Sequence, residues 1–200
     1  LKRAGYEIQT EGRLCCLATD TKGIGYERFI REAGHVGSRF SRILTEMCED
    51  LVSVAVLKDH GIAGISASMK NYFGCIHNPN KYHPNGCDPF VADLFASKLI
   101  SSRHKLSIVD GIIGVYEGGP GYKQRYRWEF KGIIVGTDAV AVDRVCLHLI
   151  EEKRKRMGVV SLTKAGRYPN YIMTAAKVYR LGQADLNGIN VVEIKRGKLD

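Results

Sequence analysis

The stretch LVSVAVLKDH, residues 51–60, contains the most strongly apolar run of the chain. Its first seven residues have the continuous Val-rich pattern that is typical of a strand buried on both faces in a parallel sheet. Working outward, the pattern predicts further strands at 6–9, 14–18, 40–44, 105–109, 132–135 and 189–194, and helices at 26–33, 62–73, 88–101, 139–157 and 171–179. Strands that alternate with helices predict an α/β layered fold with a largely parallel sheet flanked by helices.

The length and composition suit a single globular α/β domain over residues 1–200. The chain is 44% hydrophobic and 26% charged, which argues against disorder and long coiled coil. No apolar run approaches the roughly 20 residues that a membrane-spanning helix needs. Because the sequence begins at Leu1 without an initiator methionine or an apolar signal segment, we expect it to be part of a longer protein.

Six cysteines are scattered along the chain rather than spaced as in a small disulfide-stapled domain. This usage favours a reducing, cytoplasmic setting, with an exported location as the alternative. The oligomeric state is left open by the sequence.

Positive charge is concentrated in the second half of the chain. Residues 1–100 carry 12 Lys and Arg against 11 Asp and Glu, whereas residues 101–200 carry 18 against 10. The excess lies mainly at 123–131, 153–156 and 195–198, and it favours anionic partners. The run at 153–156 is also what a solvated helix C-terminus looks like, because cations suit that end of a helix.

A first group of candidate site residues follows the most apolar strand. Lys58, Asp59 and His60 come directly after residue 57, at the strand end where α/β folds bind ligands. His60 could act as a general base or metal ligand, and Lys58 as an anion clamp or a desolvated amine. Lys70 and Asn71, one predicted helix later, could join the same pocket. The alternatives are ordinary turn chemistry for the first three and a surface helix end for the last two.

A second group lies in the Pro-, Gly- and Asn-rich loop at 75–87. Cys75, His77, His83 and Cys87 are ligand types for a soft or borderline metal, and one loop would supply all four. Their spacing matches no zinc signature. A local disulfide or a polar loop facing the substrate are the other interpretations.

A third group joins Asp110, after the predicted strand at 105–109, to the glycine loop that begins with Glu117, Gly118 and Gly119. Glycines allow a backbone to approach an anion closely, although the loop lacks the ending of a P-loop and the spacing of a dinucleotide motif. The following segment YKQRYRW, residues 122–128, alternates aromatic and basic side chains. It suits either stacked bases beside phosphates or a lid over a small anion, with Arg125 as a ligand contact.

Asp138 opens the long predicted helix at 139–157. The simplest interpretation is a helix N-cap, in which the carboxylate accepts backbone N–H groups. Contact with an anionic or metal-bound ligand is the alternative interpretation.

Five short motifs follow one another along the chain: LKDH at 57–60, MKN at 69–71 with Gly74, Asp110, EGGP at 117–120, and GTDAVAVD at 136–143. In order and spacing they resemble the prokaryotic family called domain of unknown function 362, over roughly residues 38–195. The family is uncharacterised in general, and many members are described as iron-sulfur-associated because they carry a ferredoxin-type cysteine module or a twin-arginine export signal.

This chain departs from that pattern in three respects. It has no C-x-x-C-x-x-C run and no export signal, so the resemblance carries over no ligand residues for an iron-sulfur cluster. The family domain usually begins further upstream, with a strand that ends in Lys-Pro-Asn, and this motif is absent. We therefore expect that an N-terminal strand and helix are missing from the sequence.

Two classes of function remain. The first is an enzyme or redox-linked cofactor protein, with a pocket at the strand ends for a small anionic or metal-bound ligand. Its catalytic candidates are Lys58, His60, Lys70, Asn71, Asp110 and Glu117. Its ligand-binding candidates are Asp59, Gly118, Gly119, Arg125 and Asp138. The second, less favoured class is a basic module for nucleic acid or another acidic partner. No cofactor is identified, although a metal ion is possible at the 75–87 loop.

Overall fold

The computed structural model describes residues 12, 15–121 and 123–195. The predicted strand at 6–9 and the first residue of the one at 14–18 lie outside these residues. The strands are β1 (Arg31–Ala33), β2 (Val36–Ser38), β3 (Leu51–His60), β4 (Gly64–Ser66), β5 (His104–Val115), β6 (Arg127–Trp128) and β7 (Gly132–Gly136). The α-helices are α1 (Ser68–Asn71), α2 (Phe90–Ala96), α3 (Lys98–Ser101), α4 (Ala139–Arg156) and α5 (Tyr171–Lys177). Single turns of 3₁₀-helix occupy Tyr72–Cys75, Pro79–Tyr82, Pro84–Cys87, Gln124–Tyr126 and Leu186–Gly188, and a π-helical turn occupies Ile43–Met47.

The main sheet has five strands in the order β4-β3-β5-β6, with β7 also paired to β5. Only β3 and β5 are parallel, and the other three pairs are antiparallel. The prediction of a largely parallel sheet is therefore wrong, although the α/β class holds. The physical reason is connection length, because only the link between β3 and β5 carries the helices that a parallel crossover needs.

The helices cover one face of the sheet. Along β3 the side chains alternate, so that Ser53 and Leu57 are buried while Val54 is 63% exposed. The exposed face is nevertheless apolar, and its large exposed side chains are Val52, Val54, Val56, Ile112, Ile133 and Val135. The expectation that β3 is buried on both faces is thus wrong for the residues that the structure describes.

The core lies between the sheet and α1 and α4. The long helix predicted at 139–157 is confirmed as α4, and Asp138 caps it by accepting the backbone N–H of Ala141 at 2.9 Å. No helix in the described part of the chain is both long and apolar enough to cross a membrane.

Several short elements differ from the prediction. The helix predicted at 26–33 is instead the hairpin β1–β2, which turns at Gly34 with a φ of 56°. The strand predicted at 40–44 runs into the π-helical turn, and 189–194 contains no strand. The helix predicted at 62–73 is divided into β4, α1 and a 3₁₀ turn.

Candidate functional site

Lys58, Asp59 and His60 form the last three positions of β3 rather than a loop after it. They pair with β4, a strand that the sequence pattern did not predict. Asp59 and His60 are both buried, and their side chains contact different residues. The three residues therefore enter two different surroundings.

Asp59 belongs to a buried ion network, which we define as Asp59, Glu117, Arg154 and Arg167. One Asp59 oxygen accepts the Gly119 N–H and the other accepts the Arg167 guanidinium, both at 2.7 Å. Arg167 also donates to both Glu117 oxygens, at 2.6 and 2.8 Å.

Arg154 completes the ion network from α4. Its guanidinium donates to Glu117 and to the carbonyl oxygens of Tyr116 and Val160, and the residue is fully buried. Burial alone would raise the pKa of Glu117, but the hydrogen bond from Arg154 and the charges of Arg154 and Arg167 outweigh it and lower that pKa. The run at 153–156 is therefore not simply a solvated helix end.

The glycine loop fits against Asp59. A Cβ on Gly119 would collide with the backbone carbonyl of Asp59, so only glycine fits there. Gly118 has a φ of 77° and lies beside Lys123 and Tyr126. The predicted ligand-binding residues Asp59 and Gly119, and the predicted catalytic Glu117, thus already have protein partners in this loop.

His60 belongs to the second surroundings, a cationic cluster that we define as Lys58, His60, Lys70 and His83. The Lys70 ammonium lies 3.4 Å from His83 Nε2 and 4.6 Å from the centre of the Phe73 ring. The His60 and His83 rings stack with their centres 5.4 Å apart. Side chains from β3, α1 and the loop at 79–87 meet here.

The hydrogen bonds fix the tautomers of the two histidines. His60 Nδ1 accepts the backbone N–H groups of Ile62 and Ala63, so its proton sits on Nε2. His83 Nδ1 donates to the Pro79 carbonyl at 3.2 Å, which leaves Nε2 free to accept from Lys70. Both rings are neutral in this arrangement.

The electrostatics of the cationic cluster disfavour further positive charge. Burial, followed by the charges of Lys70, His83, Lys58 and Arg167, lowers the pKa of His60 to about 3. Burial is also the main cause of the lowered pKa values of Lys70 and His83. Within the described residues, neither lysine of the cluster has a carboxylate ion-pair partner.

The position of Lys70 depends on a carboxylate from α4. The buried Asp143 accepts the N–H groups of Ser68, at 2.6 Å, and of Met69, at 3.2 Å, at the start of α1. Ser68 Oγ is also 2.6 Å from Ser107 Oγ on β5. Asp143 lies 75 residues from Ser68 in sequence, and no local pattern indicates this contact.

Four other predicted site residues have other contacts. The Asn71 amide donates to the Val54 carbonyl, and Asp110 accepts the N–H of Ile112 on the exposed face of β5. Asp138 accepts backbone N–H groups with both oxygens, from Ala141 and Gln183. Arg125 is exposed and stacks 4.4 Å from the centre of the Tyr126 ring.

The four candidate metal ligands divide among separate contacts. His83 and the buried Cys87 lie near Lys70, whereas His77 packs against Tyr26 with ring centres 5.1 Å apart. Burial is the main cause that raises the pKa of Cys75 to about 11, and the neighbouring Cys48 side chain also raises it. Among described residues no three His, Cys, Asp or Glu side chains are grouped to hold a metal. Cys75 and Cys87 are both free, so the local disulfide alternative is wrong.

A cavity of about 540 Å³ borders the ion network. Arg167 of the ion network forms part of its wall, and Asn85 and Gly86, which closely follow His83 in the chain, form another part. Arg154 and Arg167 were not among the predicted site residues, because nothing in their spacing links them to β3.

Comparison with known proteins gives one positive result. A family model described as Domain of unknown function (DUF362) matches residues 16–148. No curated protein and no solved structure matches the chain.

Proposed function

We propose that this chain, which belongs to the family described as Domain of unknown function (DUF362), binds a small anionic ligand at the cationic cluster. The family description names no activity, so the proposal rests on the site itself. The observation that carries it is the convergence of two lysines and two neutral histidines, where neither lysine forms an ion pair with a carboxylate of the described residues.

Burial of unpaired positive charge is unfavourable, and this supports an anionic occupant. Lys70 is only 7% exposed, and its hydrogen-bond acceptor is a neutral imidazole. A bound oxyanion would supply the missing negative charge and accept hydrogen bonds from the ammonium groups and from His60 Nε2. A phosphate or carboxylate group has the right chemistry, because each offers several acceptor oxygens on a compact charge.

The cationic cluster is open to solvent on one side. Lys58 and His83 are partly exposed, whereas His60 and Lys70 are buried beneath them. The cavity of about 540 Å³, which Asn85, Gly86 and Arg167 help to line, would hold the remainder of a small ligand. We therefore expect the charged group to sit at the cluster and the rest of the ligand to extend toward Arg167.

Titration with inorganic phosphate, followed by calorimetry at pH 7, tests the proposal. Lys58→Gln removes one ammonium group from the cluster, and the matched control Lys98→Gln removes an exposed ammonium group from α3. We expect the phosphate dissociation constant to rise about tenfold or more in Lys58→Gln, since a charged hydrogen bond contributes about 1.5–3 kcal/mol. The Lys98→Gln constant should not change. Absence of phosphate binding by the unmodified chain, or an equal loss in both variants, would contradict the proposal.

The alternative, binding of nucleic acid by the segment after Gly121, has less support. Lys123 and Arg125 are exposed, which suits contacts with phosphates. The Tyr126 and Trp128 rings, however, pack edge to face against Tyr116, with ring centres 5.7 and 6.0 Å apart. Rings held in this way offer less area for stacking with bases. A titration with duplex DNA beside the phosphate titration distinguishes the two functions.

A further inference from the structure

Lys70 differs from an ordinary anion-binding lysine because its amine is enclosed. The residue is 7% exposed, its Nζ lies over the Phe73 ring, and its acceptor is His83 Nε2. His83 Nδ1 is already committed to the Pro79 carbonyl, so the Nε2 lone pair is directed at the amine. An amine next to a neutral base and a second cation is the arrangement that makes a lysine nucleophilic.

We propose that Lys70 is a catalytic nucleophile that condenses with the carbonyl group of a small anionic aldehyde or ketone, such as a 2-oxo acid. This inference rests on the proposed function, since the cationic cluster must first hold the anionic group. Lys58 and His60 would bind that group, while the carbonyl carbon is presented to Lys70 Nζ. The Phe73 ring would limit the access of water to the amine.

The condensation balances without any oxidant, reductant or further reactant. The nitrogen lone pair of neutral Lys70 forms a bond to the carbonyl carbon, and the C=O π electrons move to oxygen. His83 Nε2 takes a proton from the nitrogen and returns it to that oxygen, which gives a carbinolamine. Transfer of the second N–H proton by the same route releases the oxygen as water and forms the C=N bond of an imine. The products are the imine and one water molecule.

The charge environment supports this role for Lys70. Burial is the main cause that lowers the pKa of the Lys70 amine. The nearby Cys87 thiol raises that pKa, and the charge of Lys58 lowers it further. A lowered pKa increases the fraction of neutral, nucleophilic amine near neutral pH.

Trapping with sodium borohydride in the presence of pyruvate tests the inference. Borohydride reduces an imine to a stable secondary amine, so mass spectrometry of the intact chain and of its peptides locates the adduct. We expect one adduct, on Lys70, and none at that site in Lys70→Arg, which retains the charge but cannot form the imine. The control Lys98→Arg should be labelled at Lys70 as fully as the unmodified chain. In His83→Asn we expect labelling about a hundredfold slower or more, because a positioned acid–base group typically contributes that much.

The outcomes separate the inference from the proposed function. Phosphate binding without a Lys70 adduct would overturn the nucleophile and leave the anion site in place. Adducts spread over exposed lysines, with no preference for Lys70, would overturn it as well. If the unmodified chain showed neither phosphate binding nor a Lys70 adduct, both the proposed function and the nucleophile would be contradicted. Phosphate binding by Lys70→Arg at a dissociation constant within about tenfold of the unmodified chain would show that this variant folds, so that its missing adduct supports the nucleophile.

Discussion

Asp59 and His60 are neighbours in the sequence, yet they enter two regions that handle positive charge differently. In the ion network, Arg154 and Arg167 meet two carboxylates at hydrogen-bonding distance. In the cationic cluster, two lysines meet two neutral imidazoles, and no carboxylate of the described residues joins them. Arg167 links the two regions, because its guanidinium donates to the Asp59 carboxylate and to the His60 carbonyl oxygen.

The difference separates stability from function. Cations whose charge is balanced by protein carboxylates need no bound anion. The ion network is therefore explained by the packing of β3 against α4 and the loop at 161–170. Cations without such partners reduce the stability of the folded chain unless something else supplies the negative charge. Groups with shifted pKa values and no balancing partner are characteristic of sites that bind or react.

Replacing one cation in each region with methionine should change the stability of the folded chain by very different amounts. Arg167→Met leaves Asp59 and Glu117 with one cationic partner fewer, and removing one partner of a buried ion pair costs about 3–5 kcal/mol. Lys70→Met removes an unpaired ammonium and leaves an apolar chain over Phe73, so we expect a change within about 1 kcal/mol or a gain. Urea unfolding of both variants at pH 7 measures the two free energies.

Equal destabilisation by the two methionine variants would contradict the comparison. It would mean that Lys70 has a stabilising role equivalent to that of Arg167. A loss of phosphate binding in Lys70→Met together with unchanged stability is the combination that the proposed function requires.

Patterns within short stretches of sequence predicted β3 and α4. The apolar run at 51–57 gave β3, and the pattern after Asp138 gave α4 with its N-cap. The strand β4 was missed because three residues, Gly64–Ser66, are too few to show a period. Missing β4 contributed to the wrong prediction of a largely parallel sheet, since strands that return through short links pair antiparallel.

The candidate site shows the same division between local and distant contacts. Lys58, His60 and Lys70 stood out because they are polar residues close to an apolar strand. Arg167 could not be found in this way, because it reaches Asp59 across 108 positions of the sequence. Arg154 was hidden in a run of four basic residues, of which only the structure identifies the buried one. A run of charged residues indicates a solvent-exposed segment, but it does not show which of its side chains is buried.

The pH dependence of stability should report on the buried, neutral His60. The folded pKa of His60 is about 3, below the ordinary value near 6.5, so the unfolded chain takes up this proton first as the pH falls. The stability due to neutral His60 is complete above pH 6.5 and is lost as the pH falls toward 3. We expect His60→Gln to flatten the decline by about 1.4 kcal/mol per pH unit between pH 6 and 4. Urea unfolding at several pH values measures it, with exposed His148→Gln as the control. Parallel curves for His60→Gln and the unmodified chain would show that His60 is not held neutral.

Asp143 tests whether the cationic cluster depends on its support from α4. Asp143→Ala leaves the Ser68 and Met69 N–H groups without their acceptor, which should cost about 1–3 kcal/mol at pH 6. We also expect weaker phosphate binding, because these groups anchor the start of the helix that carries Lys70. Asp138→Ala is the matched control, since it removes the N-cap of α4, the helix that also carries Asp143, and should cost about 0.5–2 kcal/mol. Its phosphate affinity should be unchanged, and an equal loss of affinity in both variants would argue against a specific role for Asp143.

The smallest expected effect concerns Asn71, which follows Lys70 and was predicted to share its pocket. In the structure its amide donates to the Val54 carbonyl at 3.0 Å and to Ser53 Oγ at 3.3 Å, on the edge of β3. Asn71→Ala should therefore cost about 0.5–1.5 kcal/mol of unfolding free energy, the value of an ordinary hydrogen bond, while phosphate affinity stays the same. Unfolding and calorimetry on one preparation measure both quantities. A loss of phosphate affinity comparable to that of Lys58→Gln, without a loss of stability, would place Asn71 in the ligand site and extend the cationic cluster toward the strand edge.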